Sequence, residues 1–163
     1  MIKLRALEPE DIDFLYHLEN EESLWEVSET QLPFAKHLLQ DYIQHAHQDI
    51  YEAKQYRYVI ALNEEPLGSV DFSPKHHRAA VGIALLPNYQ GKGYAKKALQ
   101  LLISNVQKYL DLHQLIAYIP TDNIVSIALF EKIGFTCSGI QKDWLYSQGK
   151  YKDVALYQLF FGR

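Results

Sequence analysis

The chain has 163 residues, of which 48% are hydrophobic, 22% charged and 13% aromatic. This composition is typical of a folded globular protein and excludes a disordered or fibrous chain. The single cysteine, Cys137, excludes an intrachain disulfide and a zinc site built from several cysteines. No apolar run approaches the roughly 20 residues that span a bilayer, and the first residues lack the apolar stretch of a signal peptide. We therefore expect one domain over residues 1–163, located in the cytoplasm and without membrane attachment.

The net charge of −4 is unevenly distributed along the chain. Residues 6–35 contain nine acidic residues and no Lys or Arg, whereas residues 72–110 contain six basic residues and no Asp or Glu. This separation fits one surface for a cationic partner and another for an anionic partner, or two unrelated solvated faces. The short basic segment and the sequence pI of about 5.9 make nucleic acid a poor fit as a partner.

The first half of the chain begins with an alternating pattern that predicts a strand at residues 2–6. Helices are predicted from Pro9 and from Pro33, since proline favours the first turn of a helix and apolar residues follow at helical spacing. Three apolar runs then predict strands at 56–62, 67–72 and 79–86, and a polar turn makes the first two a hairpin.

In the second half, an amphipathic pattern predicts a long helix at 92–110 with Ala98, Leu99, Leu102 and Val106 on its apolar face. A short strand at 115–119 and a helix from Asn123 to Ile133 follow, and Gly134 is a suitable residue to end that helix. Strands near 135–142 and 152–161 complete the chain. The order of elements indicates an α/β (α+β) protein with a mixed sheet flanked by helices, and the strand–helix alternation is too sparse for a Rossmann unit.

The segment between the third strand and the long helix carries two glycines, Gly91 and Gly93. Glycines there let a ligand approach the backbone, and the N–H groups at a helix N-terminus favour an anion. Lys92, Lys96 and Lys97 would be unfavourably placed in the first turns of a helix unless an anion were bound nearby. The segment therefore predicts a phosphate site, although a glycine-containing turn alone is a weak signal.

Three motifs in sequence order resemble the GCN5-related N-acetyltransferase superfamily. The loop Gln90-Gly91-Lys92-Gly93-Tyr94-Ala95 is similar to its Gln/Arg-x-x-Gly-x-Gly/Ala motif. The segment 123–135 looks like its second signature, Asn-x-x-Ser/Ala-x-x-Leu-Tyr-Glu-Lys-x-Gly-Phe, and residues 4–11 resemble its opening strand and helix. Within the superfamily, the order of elements and the segment 149–154 most resemble bacterial spermidine N-acetyltransferases and ribosomal-protein alanine N-acetyltransferases.

The resemblance implies a mostly antiparallel central sheet that is splayed at its central strands, and a binding site for acetyl-CoA without a metal. The implied contacts to the cofactor are the loop amides for its pyrophosphate, backbone near Leu85 for its pantetheine arm, and Asn123 and the following helix near its thiol. The implied cofactor-binding residues are Leu85, Gln90, Gly91, Lys92, Gly93, Tyr94, Ala95, Asn123 and Phe130.

The sequence departs from the family pattern at the two positions that usually carry proton-transfer groups. Phe130 stands where the family usually has a tyrosine acid, and Ala80 stands where a carboxylate is often found. Three interpretations stay open: a relocated residue, proton transfer by water, or a protein with weak activity or none. Asp71 and Tyr118 are the candidate catalytic residues, with His76 and His77 as further candidates.

The acceptor implied by the resemblance is a primary amine, which is a polyamine such as spermidine or a protein N-terminus. In this superfamily the first helices form one wall of the acceptor cleft, and our candidates for that wall are Glu21, Glu22, Trp25 and Glu26. Carboxylates and aromatic faces both attract a polycation. A non-catalytic acyl-CoA-binding module is the alternative from another functional class, and the resemblance leaves open whether the chain forms a homo-oligomer.

Overall fold

A mixed sheet of seven strands is the frame of the molecule in the computed structural model, which describes residues 1–25, 32–45 and 55–162. The spatial order of the strands is β1-β2-β3-β4-β5-β7-β6. All neighbours are antiparallel except β4 and β5, which are parallel. The strands are β1 (Ile2–Ala6), β2 (Tyr56–Leu62), β3 (Glu65–Lys75), β4 (Arg78–Leu85), β5 (Gln114–Pro120), β6 (Thr136–Ser147) and β7 (Lys150–Phe160).

Four α-helices accompany the sheet in the described ranges: α1 (Ile12–Glu19), α2 (Lys36–Gln44), α3 (Tyr94–Tyr109) and α4 (Ile124–Ile133). The predicted apolar face of α3 is confirmed, since Ala98, Leu99, Leu102 and Val106 are all buried in the main core. Helices α1 and α2 pack on each other through a second, smaller cluster of Leu15, Leu39 and Ile43. No helix among the described residues is long and apolar enough to cross a bilayer.

The second helix, predicted to start near Pro33, begins three residues later, at Lys36, as α2. The backbone before it is extended, with Ala35 at φ −75° and ψ 146°. The Asn20 side chain holds this segment by accepting from the Phe34 N–H at 2.7 Å and donating to the Phe34 carbonyl at 3.2 Å. A tertiary contact therefore delays the helix beyond the point that the proline indicated.

The strand predicted at 135–142 is also longer than expected and runs to Ser147 as β6. Its pairing with β7 shifts register between Gln141 and Leu145, and Asp143 has a φ of 48°. Asp153 on β7 stabilises this bulge by accepting from the Asp143 N–H at 3.0 Å and from the Lys142 ammonium at 3.2 Å. The predicted strand ends where this register shift begins, and the bulge lets the strand continue beyond it.

The central strands β4 and β5 pair over a short distance and then separate. Three residue pairs join them, from Arg78–Gln114 to Ala80–Ile116, although β4 continues to Leu85 and β5 to Pro120. The mostly antiparallel sheet and its splayed centre are therefore confirmed. The opening between the two strands is where the candidate site lies.

Candidate active site

A cavity of about 210 Å³ occupies the opening between β4 and β5. Its walls come from β3, β4, β5 and α4 with the residue before it, and there are contributions from β6 and β7. The cavity brings together five positions that the sequence singled out: Asp71, Ala80, Tyr118, Asn123 and Phe130. These residues are up to 59 positions apart in the chain (71 to 130), so the splay of the sheet is what places them around one space.

Asp71 lies in a row of residues that crosses three strands. Arg57 on β2 is its partner on one side, and Gly82 on β4 is its partner on the other. A Cβ atom at position 82 would lie 3.0 Å from the Asp71 Oδ1 atom, which is closer than nearly all real contacts. Glycine at this position therefore leaves room for the carboxyl group to lie over β4, beside the opening.

The environment of the half-buried Asp71 side chain is charged. Arg57 forms an ion pair with Glu19 at the end of α1, and its guanidinium carbon lies 5.3 Å from the centre of the Tyr42 ring. Burial raises the pKa of Asp71, the charge of Arg57 opposes this rise, and the charge of Glu19 adds to it. One arginine thus faces two carboxyl groups, and the site has an excess of negative charge when both are ionised.

Tyr118 and Phe130 lie on different walls of the cavity. Tyr118 is 51% exposed. The last pair between β4 and β5 is Ala80–Ile116, and Gly82 and Tyr118 each lie two residues beyond it on their own strands. The opening therefore begins between Gly82 and Tyr118. Phe130 is 4% exposed and packs edge-to-face on Phe135 with ring centres 5.0 Å apart.

The glycine loop lies at the other end of the opening, between β4 and α3. Gly91 and Gly93 have φ angles of 75° and 83°, and a Cβ atom at either position would meet nothing within 4 Å. Gly93 is the residue before α3, whose first turn contains no acidic residue. The Gln90 side chain donates to the Leu85 carbonyl at 2.9 Å, which ties the loop to the end of β4. An open, left-handed loop at a helix N-terminus is suited to a phosphate group.

Asn123 begins α4 and faces the cavity. Its side-chain oxygen accepts from the Ser126 N–H at 3.2 Å, so it caps the helix. Its side-chain NH₂ group takes no part in this cap. In the described ranges, no three His, Cys, Asp or Glu side chains are grouped as a metal site requires.

Of the residues predicted for the acceptor wall, Glu21, Glu22 and Trp25 are described, and none of these three lines this cavity. The Trp25 indole donates to the Glu19 carbonyl at 3.0 Å, and Glu21 accepts from the Ser23 hydroxyl at 2.9 Å. Glu22 is exposed. Glu26 lies outside the described residues. Their part in acceptor binding stays a prediction.

Sequence reasoning missed Arg57 and Glu19 as neighbours of the candidate catalytic carboxyl group. Arg57 interrupts the apolar run of β2, and a charged residue in a buried strand is rarely unpaired. That signal could have identified Arg57, but not its partner, because Glu19 lies 38 residues away in the chain.

Comparisons with known proteins agree with this geometry. The family model of the acetyltransferase (GNAT) domain matches residues 2–136. The spermidine N(1)-acetyltransferase of Escherichia coli is 28% identical over 158 residues, covering 94% of this chain and 82% of that protein. The corresponding Vibrio cholerae enzyme is 25% identical over 158 residues, covering 94% of this chain and 89% of that protein.

Two solved structures show the same fold. The spermidine N-acetyltransferase of Vibrio cholerae in complex with CoA and spermine superposes with a TM-score of 0.88 at 24% identity, covering 98% of this chain and 95% of that one. A ribosomal-protein alpha-N-acetyltransferase in complex with coenzyme A superposes with a TM-score of 0.85 at 22% identity, covering 98% and 93%. The chain belongs to the GNAT acetyltransferase family.

Proposed function

We propose that the protein transfers the acetyl group of acetyl-CoA to a primary amine, with Asp71 as the group that receives the proton of the amine. The observation that carries this proposal is the half-buried Asp71 side chain in the wall of the opening between β4 and β5, where partial burial raises the pKa of its carboxyl group. A protonated amine beside it would balance the negative charge that Arg57 leaves uncompensated. The raised pKa of Asp71 makes the carboxylate a better proton acceptor than an exposed aspartate.

The cofactor fits the residues that are present. The open glycine loop and the N-terminus of α3 would hold the pyrophosphate, with Lys92, Lys96 and Lys97 exposed nearby. The backbone of β4 near Leu85 would hold the pantetheine arm along the opening, and Asn123 would donate near its reactive end. When bound, acetyl-CoA supplies the activated acyl group.

The chemistry assigned to the protein is mainly positioning. The ammonium group gives one proton to the Asp71 carboxylate and becomes a neutral amine, which is the nucleophile. Phe130 has no proton to give, whereas Tyr118, which carries a hydroxyl group, lines the same cavity. We therefore assign to Tyr118 the protonation of the sulfur that leaves when the new C–N bond replaces the C–S bond of the thioester. The nitrogen loses its second proton in this exchange, and that proton restores the Tyr118 hydroxyl.

The acceptor has two candidate classes. The named activity of the two curated relatives supports a polyamine. If spermidine is the acceptor, replacing Glu21, Glu22 and Glu26 together by Gln should raise its KM without weakening acetyl-CoA binding. A protein N-terminus is favoured by a different observation, the basic pair Lys75 and Arg78 at the end of the β3–β4 hairpin.

The test is an assay of acetyl-CoA-dependent CoA release with the purified protein across spermidine, simple primary amines and peptides with free N-termini. Mass spectrometry of the products identifies the acetylated nitrogen. Turnover with any acceptor excludes a protein that binds acyl-CoA without catalysis. Acetyl-CoA binding without turnover on any amine would contradict the proposal.

A further inference from the structure

A second cavity, of about 530 Å³, adjoins the first one on the side away from the glycine loop. Ser73, Ala80 and Tyr118 line both cavities, so the two spaces share a wall. The remaining lining residues are Pro74, Lys75, Arg78 and Ile116. An acceptor whose amine lies beside Asp71 can therefore extend into this second space.

Lys75 and Arg78 face each other directly across the end of the β3–β4 hairpin. Two like charges in such a pair destabilise a sheet. Within the described part of the chain, neither side chain has an ion pair or a hydrogen bond to another residue, whereas the nearby Asp111 carboxylate lies 4.0 Å from His77. Both side chains are exposed and, among the described residues, unpaired, so they are available to an anion in the second cavity.

The register of the sheet places these charges on the acceptor's side. Asp71, Ser73 and Lys75 alternate along β3 and share one face, and Gly82, Ala80 and Arg78 share the same face of β4. Four residues of extended strand separate Asp71 from Lys75, which is about 13 Å along the backbone. Since the long Lys and Arg side chains reach several ångströms, an anionic group roughly 7–13 Å from the amine can meet them.

We propose that the second cavity selects acceptors that carry an anionic group, and that the acceptor is a peptide N-terminus with an acidic side chain in its second to fourth residue. This inference rests on the proposed function for the position of the amine. An extended peptide rises about 3.4 Å per residue, so these positions span the distance between Asp71 and the basic pair. Lys75 and Arg78 are then specificity-determining residues, and a polycation such as spermidine is disfavoured there.

The test compares three peptides that differ at one position, with Glu, Gln or Lys as the third residue behind a free N-terminus. We expect kcat/KM to be roughly two- to fivefold higher for the Glu peptide than for the Gln peptide, as for an ion pair with exposed cations, and lowest for the Lys peptide. In the double variant Lys75→Gln with Arg78→Gln, the ratio of kcat/KM for the Glu peptide to that for the Gln peptide should fall to about one.

A matched control removes two positive charges elsewhere. Lys3→Gln with Lys108→Gln changes the net charge equally at two exposed positions, on β1 and at the end of α3, and should keep the preference for Glu. Loss of the preference in this control as well would overturn the local site in favour of a general effect of net charge. Thermal stabilisation by acetyl-CoA verifies that each variant is folded.

Binding is measured separately from turnover, with the Kd of the same peptides in the presence of coenzyme A. A Kd preference for Glu without any turnover would support the basic site and contradict the proposed function. Equal Kd and kcat/KM values for the Glu and Gln peptides, or a preference for Lys, would overturn the inference. Aminohexyl phosphate, with aminohexanol as its uncharged control, tests another source of the anion. A kcat/KM for aminohexyl phosphate above those of both peptides and of aminohexanol would overturn the peptide as the source of the anion.

Discussion

Asp71 is the residue whose replacement tests the chemistry most directly. The change Asp71→Asn preserves the shape of the side chain but removes its capacity to accept a proton. We expect kcat to fall by about 10²- to 10⁴-fold, the usual contribution of a general base. The thermal shift caused by acetyl-CoA should be unchanged. Asp41→Asn, at an exposed position on α2, is the matched control and should retain full activity.

The pH dependence of this step has a definite sign. Because burial raises the pKa of Asp71 above its ordinary 3.8, the carboxyl group is still protonated at pH values where an exposed aspartate has ionised. The acid limb of the kcat/KM profile should therefore lie above pH 3.8. The same shift means that ionising Asp71 costs stability as the pH rises from 3.8 through the raised pKa. An acid limb that persists unchanged in Asp71→Asn would assign the titration to another group.

Phe130 provides a test of the missing acid. Phe130→Tyr adds one hydroxyl group in the wall of the cavity, at the position where the family usually has this hydroxyl. If a donor beside the sulfur limits the rate, turnover should rise while acetyl-CoA affinity stays nearly the same. A neutral or harmful effect would support Tyr118 or water as the existing donor. A large loss of acetyl-CoA affinity would mean that Phe130 contacts the cofactor differently.

The loop between β4 and α3 is tested by a bulky residue at Gly93. Gly93→Val places a side chain in the space where the pyrophosphate is expected, and it also strains a backbone with positive φ. Gly149→Val is a matched control, because Gly149 has a φ of 76° and an equally open surrounding in the β6–β7 turn. Both variants should lose thermal stability. We expect Gly93→Val alone to lose the additional stabilisation by acetyl-CoA, and equal stabilisation of both would contradict the role of the loop.

The elements that the sequence predicted well are those with a strong local signal. Helix α3 was expected at 92–110 and spans Tyr94–Tyr109, and α4 ends before Gly134, whose φ is 116°. The predicted start of α2 and the predicted end of β6 differ from the structure by several residues. Both boundaries depend on contacts with distant backbone, made by the side chains of Asn20 and Asp153. The candidate site follows the same rule. Its glycine loop was visible in the sequence, whereas the ion pair of Glu19 with Arg57 depends on the packing of α1 against β2.

At the scale of the whole molecule, we propose that residues 1–163 fold as one cooperative domain. The two tryptophans report on different parts of it: Trp25 follows α1, and Trp144 lies on β6 at the edge of the sheet. Two single-tryptophan variants, Trp25→Phe and Trp144→Phe, each leave one fluorescent reporter. Their denaturation curves in urea should coincide with the far-UV circular dichroism of the same variant. Two separate transitions within one variant would indicate that the halves of the sheet on either side of β4 and β5 unfold independently.

The early separation of β4 from β5 leaves backbone groups of a central strand without a neighbouring strand. The Leu86 N–H bonds to the Leu67 carbonyl on β3, so by alternation the N–H groups of Ile83 and Leu85 point the other way, into the opening. In deuterated solvent these two amides should exchange faster than those of Gly82 and Ala84, although all four lie in the middle of the sheet. Saturating coenzyme A should slow Ile83 and Leu85 selectively, which would make exchange at these two amides a residue-level record of cofactor occupancy.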